Sequence, residues 1–209
     1  AAEHGISRAD QDGFALSSQE RAAAAIAAGY FKEQIVPVDV KVKRDTVAFD
    51  TDEHPKATSA EALAGLRPAF QKDGSVTAGN ASGINDGAAA MVLATASAAE
   101  RAGLTPRARI LGYAHAGVRP EVMGIGPVPA VQNLLERTGL KAGDFDVIES
   151  NEAFASQALA VTKNLGFDPA IVNPNGGAIA LGHPVGATGA IITVKAMYEL
   201  ERIQGKRAL

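Results

Sequence analysis

The run Asn173-Pro174-Asn175-Gly176-Gly177-Ala178-Ile179-Ala180-Leu181-Gly182-His183-Pro184-Val185-Gly186-Ala187-Thr188-Gly189 constrains this chain more than any other stretch. It sets one histidine in a glycine-rich loop and then launches an amphipathic helix. Gly182 permits close approach and unusual torsions, and Pro184 fixes the backbone that follows. The spacing is neither Gly-x-Gly-x-x-Gly nor Gly-Lys-Ser/Thr, so neither common phosphate loop is present.

Elements around this run alternate between strand and helix patterns. Ser7-Arg8-Ala9-Asp10 reads as a capping box, predicting a helix over 8–28 with Gly29 as its left-handed stop. Residues 35–40 are β-rich but contain Pro37, which predicts an edge strand. Thr58-Ser59-Ala60-Glu61 opens a short helix ending near Gly65. Strands are expected at 75–77, 88–93, 108–116 and 146–149, with a small-residue loop over 78–87. Further helices are expected from Ser97 to Gly103, over 129–138 closed by Gly139, over 152–165 closed by Gly166, and over 188–204 closed by Gly205. Such alternation argues for an α/β fold with helices covering sheets.

Length and composition narrow the function classes. At 209 residues and 46% hydrophobic, the chain can bury one good-sized core or two small ones. Aromatics make up 5% with no Trp, so Ala, Val, Leu and Ile must pack closely around 22 glycines. A formal net charge of −3 gives no reason to expect nucleic acid or a polybasic membrane contact. No apolar run approaches the roughly 20 residues of a spanning helix. The first residues show no basic-then-apolar signal pattern, so no signal peptide is expected. The chain has no cysteine, which excludes disulfides, thiolate metal sites and an internal Cys nucleophile and is compatible with a cytoplasmic setting.

The 173–189 run closely resembles the C-terminal signature of the thiolases, which make or cleave 3-ketoacyl-CoA. Asn151-Glu152-Ala153-Phe154-Ala155 resembles that family's Asn-Glu-Ala-Phe box. Ile6-Ser7-Arg8 with Gln11-Asp12, the stretch 75–90 containing Thr77-Ala78-Gly79-Asn80-Ala81-Ser82-Gly83, and Met123-Gly124-Ile125-Gly126-Pro127 are similar to further family blocks, in the same order. Bacterial biosynthetic β-ketothiolases are the first group to compare. The resemblance implies an α/β, thiolase-like layered αβαβα sandwich, incomplete, with the first half largely missing. It places part of a loop or cap domain at 1–74, the end of the N-terminal half at 75–105, and the C-terminal half, without its last strand, at 106–209. It also implies that the acyl-accepting cysteine lies upstream of Ala1 and a second cysteine beyond Leu209. The chain is then expected to be an inactive fragment of an acyltransferase, a homodimer or homotetramer when intact. The alternative is a natural non-catalytic relative that binds CoA esters or a partner.

The resemblance assigns His183 and Asn151 to catalysis. A free Cys thiol, with a pKa of about 8.5, is mostly protonated at neutral pH, and a neighbouring imidazole raises its thiolate fraction. Taken alone, His183 reads equally as a histidine satisfying backbone groups in a tight loop. Asn151 would hold a water that shares an oxyanion hole with the histidine; taken alone, it reads as a helix cap. Glu152 suits a structural part better than that of a general base. Ser82, Ala78, Ile84, Ala153 and Phe154 match positions lining the family's pantetheine tunnel, where small residues admit a thin arm. Ser82 could bond an amide of that arm. Leu66, Ala69 and Phe70 could shape the tunnel mouth and the adenine site. Lys56 stands where relatives often place Arg beside the CoA phosphates. Lys41, Lys43 and Arg44 could attract those phosphates or form an ordinary solvated charge run. CoA enters as substrate; no metal or prosthetic group is expected, and His4, His54 and His115 receive no role.

Overall fold

The computed structural model describes residues 1–209. Helix α1 (Arg8–Ala27) starts on the expected capping box: Asp10 N donates to Ser7 Oγ at 3.1 Å, and Ser7 N donates to the Asp10 carboxylate at 2.8 Å. Gly29, at φ 76°, is the left-handed residue that ends it. Its buried face is built from Gln11, Asp12, Ala15, Ser18, Ala22 and Ala25. These side chains are short or polar, so neighbouring backbone comes close: a Cβ at Gly176 would fall 2.7 Å from Ala22 Cβ.

After α1 comes a hairpin, β1 (Val38–Val42) with β2 (Asp45–Phe49), antiparallel from Val38 opposite Phe49 to Val42 opposite Asp45. The expected edge strand therefore begins only after Pro37, which has no N–H for the ladder. Helix α2 (Ala60–Ala64) is capped by Ser59, whose Oγ accepts from Ala62 N at 3.2 Å, and it packs on α1. Helix α3 (Ala96–Arg101) is capped by Thr95, two residues before the expected Ser97.

Helices α4 (Pro127–Thr138) and α5 (Ala155–Leu165) pack together, stopped by Gly139 and Gly166 in the left-handed region. The short α6 (Ala178–Leu181) packs on α1, and α7 (Thr188–Arg202) closes the chain. Helix α7 stops on Gln204 at φ 54°, one residue before the expected Gly205.

Residues 146–149 run between 171–173 and 207–209 as a small parallel arrangement. Ile148 N donates to Ile171 O and Asn173 N to Ile148 O on one side; Glu149 N donates to Leu209 O and Leu209 N to Val147 O on the other. The chain's last residues thus pair beside 146–149. Phe145, Ile148, Phe167 and Val172 form one apolar cluster; Ala15, Leu63, Ala155 and Ile179 form another.

Three expected strands are absent as such. Residues 75–77 make one bridge, Thr77 opposite Pro68. Residues 88–93 and 108–116 join no ladder and are largely exposed. A strand exists only where a neighbouring strand takes its N–H and C=O groups, and no backbone of this chain pairs with these two; 108–116 is met instead by side chains of α4, with Asn133 and Arg137 donating to His115 O and Tyr113 O.

Candidate functional site

Asn151 owes its place to a buried polar network beneath it. Glu152, 2% exposed, accepts from Ser18 Oγ at 2.7 Å, Asn173 Nδ2 at 2.9 Å and Ile179 N at 3.1 Å. Asn173, itself at φ 46°, also donates to Ser150 O and accepts from Ser150 N, pinning the turn that leads into Asn151. Gly177 N donates to Ser18 Oγ, and a Cβ on Gly177 would collide with the Glu152 carboxylate. Burial pushes the Glu152 carboxyl up, and its three donors pull against that rise. With every acceptor oxygen engaged below the site, Glu152 ties α1, α6 and the 150–152 turn together.

A second buried carboxylate supports the same glycines. Lys195 Nζ donates to Glu149 at 2.8 Å and to Gly176 O at 2.7 Å. Burial raises the Glu149 carboxyl, Lys195 lowers it, and the charges of Glu152 and Glu199 raise it again.

Above this floor, Asn151 and His183 meet: Asn151 Nδ2 lies 3.3 Å from His183 Nε2. The opposite ring nitrogen, Nδ1, lies 2.7 Å from Thr188 Oγ1. Thr188 donates its hydroxyl proton to Pro184 O at 3.0 Å, so its lone pair accepts from His183 Nδ1–H. One donor order then satisfies all three contacts: a neutral imidazole protonated on Nδ1, with the Nε2 lone pair facing Asn151. Asn151 Oδ1 is buried without a protein partner, so its acceptor capacity is unspent. Helix α5 begins at Ala155 with Phe154 as its N-cap, so Asn151 does not cap it.

The remaining sequence-predicted residues fall into two groups. Ser82 Oγ and Ser82 N both approach Ala153 O at 3.1 Å, and Ala81 bridges Phe154. Ser82 therefore donates to the protein and keeps only acceptor capacity for an incoming amide N–H. Ile84 bridges His183 in parallel and is 95% exposed in this chain. Phe70 stacks edge-on against Phe154 at 6.1 Å, bringing the 66–70 segment to the same lip. Leu66 reaches the space beside Gly79, next to exposed Ala78, while Ala69 N donates to Val76 O. Beside His183 an open groove of about 410 Å³ is lined by Asn85, Asp86, Gly87, Ala88, Pro184 and Val185, among others.

The basic residues stand apart. Lys41, Lys43 and Arg44 are on the exposed hairpin and form none of the chain's salt bridges, which fits a solvated charge run. Lys56 is held through its backbone N–H, which donates to Gln19 Oε1. Sequence reasoning missed Thr188, Asn85, Ser18 and Asn173. Thr188 and Asn173 lie inside the 173–189 run itself, whereas Asn85 and Ser18 reach the site across large sequence separations.

Comparison with known proteins agrees with this geometry. The chain matches the family model of the thiolase N-terminal domain over residues 1–97 and that of the thiolase C-terminal domain over residues 104–209. It belongs to the thiolase family. It is 61% identical to beta-ketothiolase BktB of Cupriavidus necator over 211 residues, covering 100% of this chain and 54% of that protein. It is 60% identical to acetyl-CoA acetyltransferase of Escherichia coli (strain K12), covering 96% of this chain and 51% of that protein. Among solved structures, Bacillus anthracis acetyl-CoA acetyltransferase superposes with a TM-score of 0.96 at 52% identity, over 99% of this chain and 53% of that one. Human mitochondrial 3-ketoacyl-CoA thiolase in complex with CoA superposes with a TM-score of 0.90 at 44% identity, over 100% of this chain and 52% of that one. The layered α/β thiolase fold expected from sequence is therefore the fold of this chain. The chain spans about half the length of the curated relatives it matches.

Proposed function

We propose that the protein to which this chain belongs is an acyltransferase that runs a reversible Claisen condensation, or thiolysis, of 3-ketoacyl-CoA through an acyl-cysteine. These 209 residues supply the histidine and asparagine part of the site. The observation that carries the reading is the Asn151–His183 contact at 3.3 Å, set at the lip formed by Ser82, Ala153, Phe154 and Phe70.

In this reading a thiol approaching His183 Nε2 gives its proton to the lone pair, with Thr188 holding the opposite nitrogen and so the ring plane. The Asn151 side chain, whose Nδ2 already reaches His183 Nε2, binds a water that joins the protonated ring against the thioester oxygen. Relatives named acetyl-CoA acetyltransferase and beta-ketoadipyl-CoA thiolase support an acyl-CoA substrate. The exposed lip at Ala78, Ile84, Leu66, Ala69 and Phe70 is where the pantetheine arm and adenine would lie. The resemblance further suggests a homodimer or homotetramer working in the cytoplasm.

The test has two arms. The purified 209-residue chain, which contains no cysteine, is expected to show no thiolysis of acetoacetyl-CoA above background. The gene product at its natural length is expected to turn over, and His183→Ala or Asn151→Ala is expected to lower kcat by about 10²-fold or more. Turnover by the 209 residues alone, or full activity in His183→Ala, overturns the reading. Tight CoA-ester binding without turnover at natural length would favour a non-catalytic relative instead.

A further inference from the structure

Asn85 belongs to none of the blocks assigned to catalysis, yet three separate segments are shaped around its side chain. Its Oδ1 accepts from the backbone N–H of His183 at 3.1 Å. Its Nδ2 lies 3.3 Å from Nδ1 of His54. Two glycines leave the room these contacts occupy. A Cβ at Gly182 would fall 2.6 Å from Asn85 Oδ1, and one at Gly83 would fall 2.8 Å from the same atom and 2.5 Å from His54 Cε1. Gly182 sits at φ 92°, a conformation that side chains rarely adopt. Ile84, next to Asn85, bridges His183 in parallel.

We infer that Asn85 is a positioning residue for His183, and that His54 sets the direction in which the Asn85 amide points. A carboxamide has one accepting end and one donating end. With Nδ1 of His54 accepting from Nδ2, Oδ1 is left facing the His183 N–H. A glycine on one side and a proline on the other give the His183 backbone no side-chain donors or acceptors to hold it. Asn85 fixes that backbone, Thr188 the Nδ1 side of the ring, and Asn151 the Nε2 side. The inference rests on the reading of His183 as the working base and extends it to two residues that the resemblance left without a role.

The test uses nuclear magnetic resonance of the ¹⁵N-labelled 209-residue chain, whose four histidines are readily assigned. In the unsubstituted chain the His183 amide is expected to exchange slowly and its ring to show the Nδ1–H pattern. Asn85→Ala should speed His183 amide exchange by several-fold to about tenfold, the equivalent of one net hydrogen bond, and blur the ring into a tautomer mixture. The buried Ile148 amide should be unaffected and reports on the fold. Asn85→Asp keeps an accepting oxygen for His183 N–H but no donor for His54, so it should retain His183 protection while changing the His54 ring pattern. His54→Ala should weaken His183 protection, and His54→Gln, whose carbonyl can accept from Asn85, should restore it.

Unchanged His183 exchange and ring pattern in Asn85→Ala overturns the inference. So does an unprotected His183 amide in the unsubstituted chain, or a loss in Asn85→Asp as large as in Asn85→Ala; neither depends on the alanine variant folding. Turnover has no part in these readouts, so a protein that proves not to turn over 3-ketoacyl-CoA leaves the Asn85 result standing, and the reverse holds as well.

Discussion

Val147 and Ile148 are each 1% exposed, whereas Val92 is 89% exposed and Leu93 70%, although both pairs lie in short apolar stretches. Around the first pair, chain segments at 171–173 and 207–209 take the backbone hydrogen bonds, and Phe145, Phe167 and Val172 cover the Ile148 side chain. Around the second pair nothing in this chain does either. Apolar character makes burial favourable, but burial needs a partner surface, and only one of the two regions has one. The same contrast governs polar groups. Glu149, Glu152, Asn173 and Lys195 are buried because each finds partners, while Lys41 and Lys43 remain in water.

The largest expected effect comes from breaking the buried region at its ion pair. Lys195→Ala leaves Glu149 buried with no counter-charge and Gly176 O with no donor, and should cost about 3–5 kcal/mol in chemical denaturation. A cost under about 1 kcal/mol would mean that the pair is hydrated, and the contrast between regions would weaken.

Ser18→Ala should come next. It removes the donor to Glu152 and the acceptor for Gly177 N at once, for an expected loss of about 1–3 kcal/mol.

A pH series sharpens the same point. Glu149 and Glu152 are raised by burial, so the folded chain holds protons more tightly there than the unfolded chain does. Stability should therefore rise as pH falls from neutral through the raised folded values, and stop rising near the ordinary carboxylate value of about 4.3. Carboxylates lowered in the fold, such as Asp146 with its bonds from Lys206 N and Arg207 N, work the other way: their contribution is lost only below the ordinary Asp range. The double variant Glu149→Gln/Glu152→Gln should flatten the rise above pH 5, measured as the melting midpoint. An unaltered slope would refute the assignment.

The smallest effect on stability belongs to the exposed region. Val92→Asn or Leu93→Asn should stay within about 0.5 kcal/mol of the unsubstituted chain. The same substitutions should reduce concentration-dependent self-association in sedimentation, because exposed apolar patches drive it. A chain that stays monomeric at high concentration without them would remove that reading of the surface.

Local chemistry was legible from the residues themselves. The Ser7–Asp10 capping box and the glycine stops at 29, 139 and 166 formed as read, because each depends on groups within a few residues, whereas the helix opened by Thr58-Ser59-Ala60-Glu61 is capped one residue into that run, by Ser59. The His183 loop and the Asn151 box were legible because an unusual residue order carried them, and that order also revealed the family. The strands at 88–93 and 108–116 were misread because a strand is completed by its neighbour, which local pattern does not contain. The support of the site was equally out of reach: Asn85 meets His183 across 98 residues and Ser18 meets Glu152 across 134. Which amide faces which ring nitrogen, and which carboxylate is buried with which donors, depends on distances that exist only once the chain has folded. Sequence by itself determined most of the caps and turns and the two boxes that identify the family; tertiary structure alone decided burial and side-chain partners, because both are properties of contacts between distant segments.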